Sequence, residues 1–272
     1  MTRTEEQWNA DVAEKVHQVL RDGDRNAETP TTSLSSITQP SDTLFSSCID
    51  HTLLKPDATP AQIDVLCDEA IRYGFKSCCV NGTHVKQVAD RLKSSTATTI
   101  PCAVIGFPLG ASTTAVKVFE ATDAISNGAR EIDMVINIGL LKSKSYSAVY
   151  EDIHAVAQAC QSQSIPLKVI LETVFLSDEE KVAGAFIAAE AGAAFVKTCT
   201  GFNGGGATKE DVGLLYNAVR YKNREVKVKA SAGIRSFEKC VEMLTAGAER
   251  IGTSSGAIIV QNATPSEATG SY

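Results

Sequence analysis

Residues 191–208 read Ala-Gly-Ala-Ala-Phe-Val-Lys-Thr-Cys-Thr-Gly-Phe-Asn-Gly-Gly-Gly-Ala-Thr, and this stretch contains a complete structural joint. The amphipathic segment Asp178–Ala191 ends at Gly192, as helix C-termini commonly do. The apolar run Ala194–Thr198 follows and reads as a short buried strand. A glycine-rich loop comes next. Thr208 then caps a second helix, Thr208–Val219, with Asp211 three residues on. A buried strand set between two helices is a β/α unit.

The unit repeats. Ala-Gly-Ala recurs at 246–248 and Asn-Gly-Ala stands at 127–129, each just ahead of an apolar run. The full set of runs is Cys48–Asp50, Lys76–Val80, Thr99–Ile105, Glu131–Ile136, Leu167–Glu172, Ala194–Thr198, Val226–Ala230 and Arg250–Gly252. Helical patterns lie between them at Ala61–Arg72, Ala115–Asn127, Tyr146–Gln161, Asp178–Ala191, Thr208–Val219 and Ser236–Ala246. Strands alternating with helices predict a parallel sheet, and eight strands suit closure into a (β/α)8 TIM barrel. An open doubly wound sheet is the competing arrangement, but no GxGxxG follows the first strand.

The 272 residues allow one barrel of about 250 residues plus an extension. The barrel is assigned to residues 46–260. Ahead of it, residues 5–21 place Trp8, Val12, Val16, Val19 and Leu20 at helical spacing, and a Ser/Thr/Pro-rich linker follows. Residues 1–45 are thus an N-terminal helix and linker, to pack on the barrel or on a partner subunit. Residues 261–272 read as a flexible polar tail.

A net charge of −6 argues against nucleic acid or an anionic membrane as the main partner. No apolar run is long enough to span a bilayer, and the N-terminus lacks a secretory pattern. The eight cysteines are scattered, no CxxC pair is present and only four histidines occur. Reduced, buried thiols in a cytoplasmic protein are expected, with no structural metal and no cofactor.

Charged residues inside a barrel need a reason, because burying them unpaired costs several kcal/mol. Barrel sites lie at the C-terminal strand ends. The polar residues found in or at the ends of the runs are Asp50, Asp133, Lys168, Glu172, Lys197, Lys227 and Lys229. Lys197 and Lys229 are one β/α unit apart and should stand side by side. Two lysines and an aspartate around one cavity make a coherent set. An amine attacks a carbonyl only when unprotonated, and a neighbouring ammonium favours that form. The iminium then accepts electrons from a breaking C–C bond, while an aspartate relays protons through water. Lys168 is better read as half of an interior salt bridge, and Lys227, nearer its strand's start, as structural. Glycine-rich loops after the sixth, seventh and eighth runs, with Arg235, suit an anion such as phosphate, although plain tight turns are the competing explanation.

Six segments together resemble the deoxyribose-phosphate aldolase family. They are Ile-Asp-His-Thr-Leu-Leu-Lys-Pro (49–56), Val-Ile-Gly-Phe-Pro-Leu-Gly (104–110), Ala-Arg-Glu-Ile-Asp-Met-Val-Ile-Asn (129–137), Leu-Lys-Val-Ile-Leu-Glu-Thr (167–173), Phe-Val-Lys-Thr-Cys-Thr-Gly-Phe (195–202) and Val-Lys-Ala-Ser-Ala-Gly-Ile-Arg (228–235). The resemblance implies reversible cleavage of 2-deoxy-D-ribose 5-phosphate to D-glyceraldehyde 3-phosphate and acetaldehyde, in deoxyribonucleoside catabolism. It implies that Lys197 forms the Schiff base, that Lys229 eases its deprotonation and joins proton transfer, and that Asp133 is the acid/base partner. By the same resemblance Asp50 positions Lys197 or a substrate hydroxyl. Gly201, Gly233, Ser254 and Ser255 contact phosphate, Cys79 is a vulnerable thiol, and Tyr272 reaches over the site.

The chain departs from the family pattern in three places. Ala232 stands where a glycine is usual, Cys199 where serine is common, and the N-terminal arm is long. A phosphorylated sugar is the expected partner, and a homodimer the expected assembly. The competing functions are another lysine-dependent aldolase for a phosphorylated sugar, and a non-catalytic phosphate-binding barrel.

Overall fold

The computed structural model describes residues 3–22, 34, 36–223 and 225–262. Eight strands form one closed parallel barrel in chain order: β1 (Ile49–Leu53), β2 (Ser77–Val80), β3 (Ile100–Ile105), β4 (Glu131–Val135), β5 (Leu167–Ile170), β6 (Phe195–Lys197), β7 (Lys227–Ser231) and β8 (Arg250–Thr253). β8 closes on β1 through Ile49 opposite Ile251. Closure rules out the open sheet. The α-helices in chain order are α1 (Glu5–His17), α2 (Thr43–Ser46), α3 (Pro60–Tyr73), α4 (Val85–Lys93), α5 (Thr114–Ser126), α6 (Ile138–Lys142), α7 (Tyr146–Gln161), α8 (Asp178–Glu190), α9 (Lys209–Val219), α10 (Phe237–Thr245) and α11 (Gly256–Val260).

The repeated Ala-Gly-Ala does the same task twice. Gly192 and Gly247 adopt φ of 99° and 113°, a region closed to most side chains, and turn the chain from α8 and α10 toward β6 and β8. Strand residues alternate between two environments. Ile132, Met134, Val169, Val196 and Val228 are buried in the main apolar core. Their neighbours Asp133, Lys168, Lys197 and Lys229 are buried as well, and bond to one another within the barrel. Cys78 and Cys79 illustrate the same alternation: the Cys78 thiol approaches the Leu66 carbonyl of α3, whereas Cys79 belongs to a small separate cluster with Leu54, Cys102 and Val104.

The N-terminal helix packs on this chain's own barrel. Trp8 is buried with its ring 5.0 Å from Tyr150 of α7 and 6.1 Å from Phe186 of α8. Glu5 accepts hydrogen bonds from the Tyr146 and Ser147 amides at the start of α7, and Arg3 pairs with Glu190. A helical turn of π type (Gln18–Asp22) extends α1.

Candidate active site

The register puts the expected pair together: Lys197 of β6 lies opposite Lys229 of β7, and Asp133 of β4 opposite Lys168 of β5. Asp133 is the hub. One carboxylate oxygen, Oδ2, accepts from Lys197 Nζ and from Lys229 Nζ, each at 2.8 Å. The other, Oδ1, accepts from Lys168 Nζ at 2.7 Å and from the Cys102 thiol at 3.3 Å. Burial alone would favour the neutral acid, but Lys168, Lys197 and Lys229 hold the Asp133 carboxyl well below the usual carboxylate range.

A second charged layer supports the hub. Lys168 also pairs with Glu131 at 2.6 Å, and Arg250 bridges Glu131 and Asp50 at 2.9 Å and 2.7 Å. The Arg250 guanidinium sits 5.2 Å from the ring centre of Phe195. Burial opposes charge on Lys229, yet Asp133 and Asp50 outweigh it and hold that lysine above its ordinary range. Burial also opposes charge on Lys168, and Asp133 leads the groups that raise it all the same. At Asp50 burial is again overcome, by Arg250, Lys229 and Lys168, and its carboxyl falls below the ordinary value.

Asp50 lies among Lys229, Arg250 and Ser77. Its Oδ2 meets Lys229 at 2.6 Å, and its Oδ1 meets Arg250 and the Ser77 hydroxyl at 2.7 Å. Among the described residues Asp50 thus pairs with Lys229 and not with Lys197. Lys168 is the interior salt-bridge partner that its sequence context suggested. Lys227 has a partly exposed side chain and faces Glu249 at 3.6 Å.

The loops after β6, β7 and β8 are joined. The Ala207 amide donates to the Ala232 carbonyl at 3.0 Å, and the Thr253 hydroxyl to the Ile234 carbonyl at 2.7 Å. Gly201 and Gly233 take φ of 89° and 72°. Ser254 and Gly233 are exposed, while Ser255 opens α11 and gives its amide to the Thr253 hydroxyl at 2.9 Å. Ala232, at the usual glycine position, is fully buried with φ 80°. Tyr272 lies outside the described residues.

Glu131, Cys102 and Arg250 were not foreseen as site residues. Arg250 opens its apolar run and Glu131 begins another, and a charge at that position was the available signal. Among the described residues, the thiols of Cys79 and Cys102 and a carboxylate oxygen of Asp133 lie within 4.8 Å of one another, close enough to share a metal ion. Three lysine amines already occupy Asp133, so the local field disfavours a further cation.

A closed parallel barrel with a buried lysine–aspartate hub defines a lysine-type barrel aldolase. The chain belongs to the DeoC/LacD aldolase family, whose model matches residues 46–263. The deoxyribose-phosphate aldolase of Staphylococcus haemolyticus (strain JCSC1435) is 56% identical over 217 residues, 80% of this chain and 96% of that protein. The enzyme of the same name from Staphylococcus carnosus (strain TM300) is 54% identical over the same shares. Among solved structures, deoxyribose phosphate aldolase from Aeropyrum pernix, described as a unique tetramer, superposes with a TM-score of 0.76 at 30% identity over 93% of this chain and 96% of its own. A Coccidioides immitis protein provisionally given the same activity reaches 0.86 at 40% identity, covering 96% of this chain and 98% of its own.

Proposed function

We propose that this chain reversibly cleaves 2-deoxy-D-ribose 5-phosphate to D-glyceraldehyde 3-phosphate and acetaldehyde through a Schiff base on Lys197. The observation that carries this reading is the single oxygen of Asp133 shared by Lys197 and Lys229. Arg250, Lys168 and Lys229 already balance Asp50, Glu131 and Asp133. Lys197 is thus not needed as a counter-ion, and its amine can be neutral without leaving an acid unpaired.

The neutral amine adds to C1 of the open-chain sugar, and loss of water gives the iminium. Removal of the C3 hydroxyl proton breaks the C2–C3 bond. Its electron pair moves into the iminium to form an enamine, and C3 leaves as the aldehyde of glyceraldehyde 3-phosphate. Proton return to C2 and hydrolysis release acetaldehyde. Asp133, through water, moves these protons. Lys229 stays charged between Asp50 and Asp133 and keeps the field positive around Lys197.

Gly201, Gly233, Ser254 and Ser255 hold the phosphate, supported by the linkage of their three loops. The reading further includes a cytoplasmic protein, to which the free and buried cysteines lend support. It includes a homodimer, for which exposed Leu109, Val116 and Phe119 offer apolar surface. No described helix is long and apolar enough to cross a membrane.

Lys197→Leu tests the assignment. Cleavage should fall at least about a thousandfold while the fold persists, as for loss of a covalent nucleophile. An unchanged rate would remove Lys197 from the mechanism.

A further inference from the structure

Glu172 stands two residues past β5, fully buried, with a left-handed backbone of φ 58° and ψ 62°. A non-glycine residue in that region costs about 1 kcal/mol, so something must hold it there. Its carboxylate accepts the Thr200 amide at 3.2 Å and 3.3 Å, the Thr200 hydroxyl, and the Asn203 side-chain amide at 2.9 Å. Among the described residues, no lysine or arginine pairs with it. The carboxylate is therefore committed to one object, the loop that leaves Lys197.

That loop is wedged. A methyl group on Gly205 would meet Val174 at 2.5 Å, and one on Gly206 would meet the Ala232 carbonyl at 2.9 Å. The loop thus lies between the Glu172 segment and the Ala232–Gly233 turn, with Gly201 inside it. Imine chemistry at Lys197 depends on Asp133 and Lys229, neither of which Glu172 touches.

We infer that Glu172 is a positioning residue for the phosphate end of the site, fixing the 200–206 loop through Thr200 and Asn203. The inference rests on the proposed phosphate role of Gly201 and Gly233. It makes Glu172 a determinant of preference for phosphorylated over plain sugars.

The test compares wild type with Glu172→Gln on 2-deoxyribose 5-phosphate and on 2-deoxyribose, with borohydride trapping of acetaldehyde alongside. Glutamine keeps the shape but replaces one acceptor with a donor, so a loop donor loses its partner. KM for the phosphorylated sugar should rise about tenfold, the ordinary effect of one lost hydrogen bond to a charged group. kcat/KM for 2-deoxyribose and trapping at Lys197 should stay within about twofold, since neither uses the loop. Equal losses on both sugars, or an unmoved KM, would overturn the inference. Asn203→Ala keeps Glu172 and removes one donor, which serves if the first variant fails to fold. It should raise the same KM about threefold, and an unchanged ratio between the sugars would overturn the inference too. A wild type with no preference for the phosphorylated sugar would instead sink the phosphate-site reading beneath it.

Discussion

Asp133 shows how one residue is made to serve several partners. Its two oxygens take three lysine amines and a thiol, which is affordable only because every partner is itself buried and paired. Lys229 is held charged between two carboxylates. Lys229→Leu removes that positive charge from beside Lys197, whose ammonium form then faces Asp133 with less competition. The acid limb of kcat/KM against pH should move to higher pH, and an unmoved limb would remove Lys229 from this role. Ala232 is a residue-scale flaw of a different kind. Its φ of 80° suits glycine better than alanine. Ala232→Gly should raise stability to urea by about 1 kcal/mol, and a loss would show that the methyl group's packing outweighs the backbone strain.

At the scale of elements, the eight strands could be read from sequence because each apolar run is bounded by turn residues, and the register of Lys197 with Lys229 followed from their one-unit spacing. α4 was harder. It is 9 residues long, and its buried positions Val85, Val88 and Leu92 lie among charged ones. The supporting layer was hidden for a physical reason. Arg250 meets residues 119 and 200 positions away, and no local pattern encodes such a pair. Resemblance gave Asp50 to Lys197 or to a substrate hydroxyl; strand order puts β1 beside β8, and of the two lysines the carboxylate meets Lys229, together with Arg250. The place of α1 was equally open, since an amphipathic helix shows which face it buries but not against what. Trp8 settles that question by packing on Tyr150 and Phe186. Trp8→Ala should cost about 3 kcal/mol of stability and leave kcat within about twofold, as α1 sits outside the barrel. A large fall in kcat would instead couple α1 to the site.

Over the whole molecule, the interior network sets how stability depends on pH. Asp50 and Asp133 titrate below their ordinary values, so their contribution is complete above about pH 4 and is lost as acid protonates them. Lys168 and Lys229 titrate above theirs, so their contribution is complete below about pH 10 and is lost as pH rises further. Thermal midpoints should form a plateau between those limits and fall on both sides. A midpoint that kept rising into acid would contradict the ion pairing of the barrel interior. The same network leaves one amine spare, and that is the central claim. Incubation with acetaldehyde and borohydride, followed by peptide mapping by mass spectrometry, tests it most directly. The account predicts an ethyl group on Lys197 and on no other barrel lysine. Labelling of Lys168 or Lys229 instead, or no labelling of the folded protein, would contradict it.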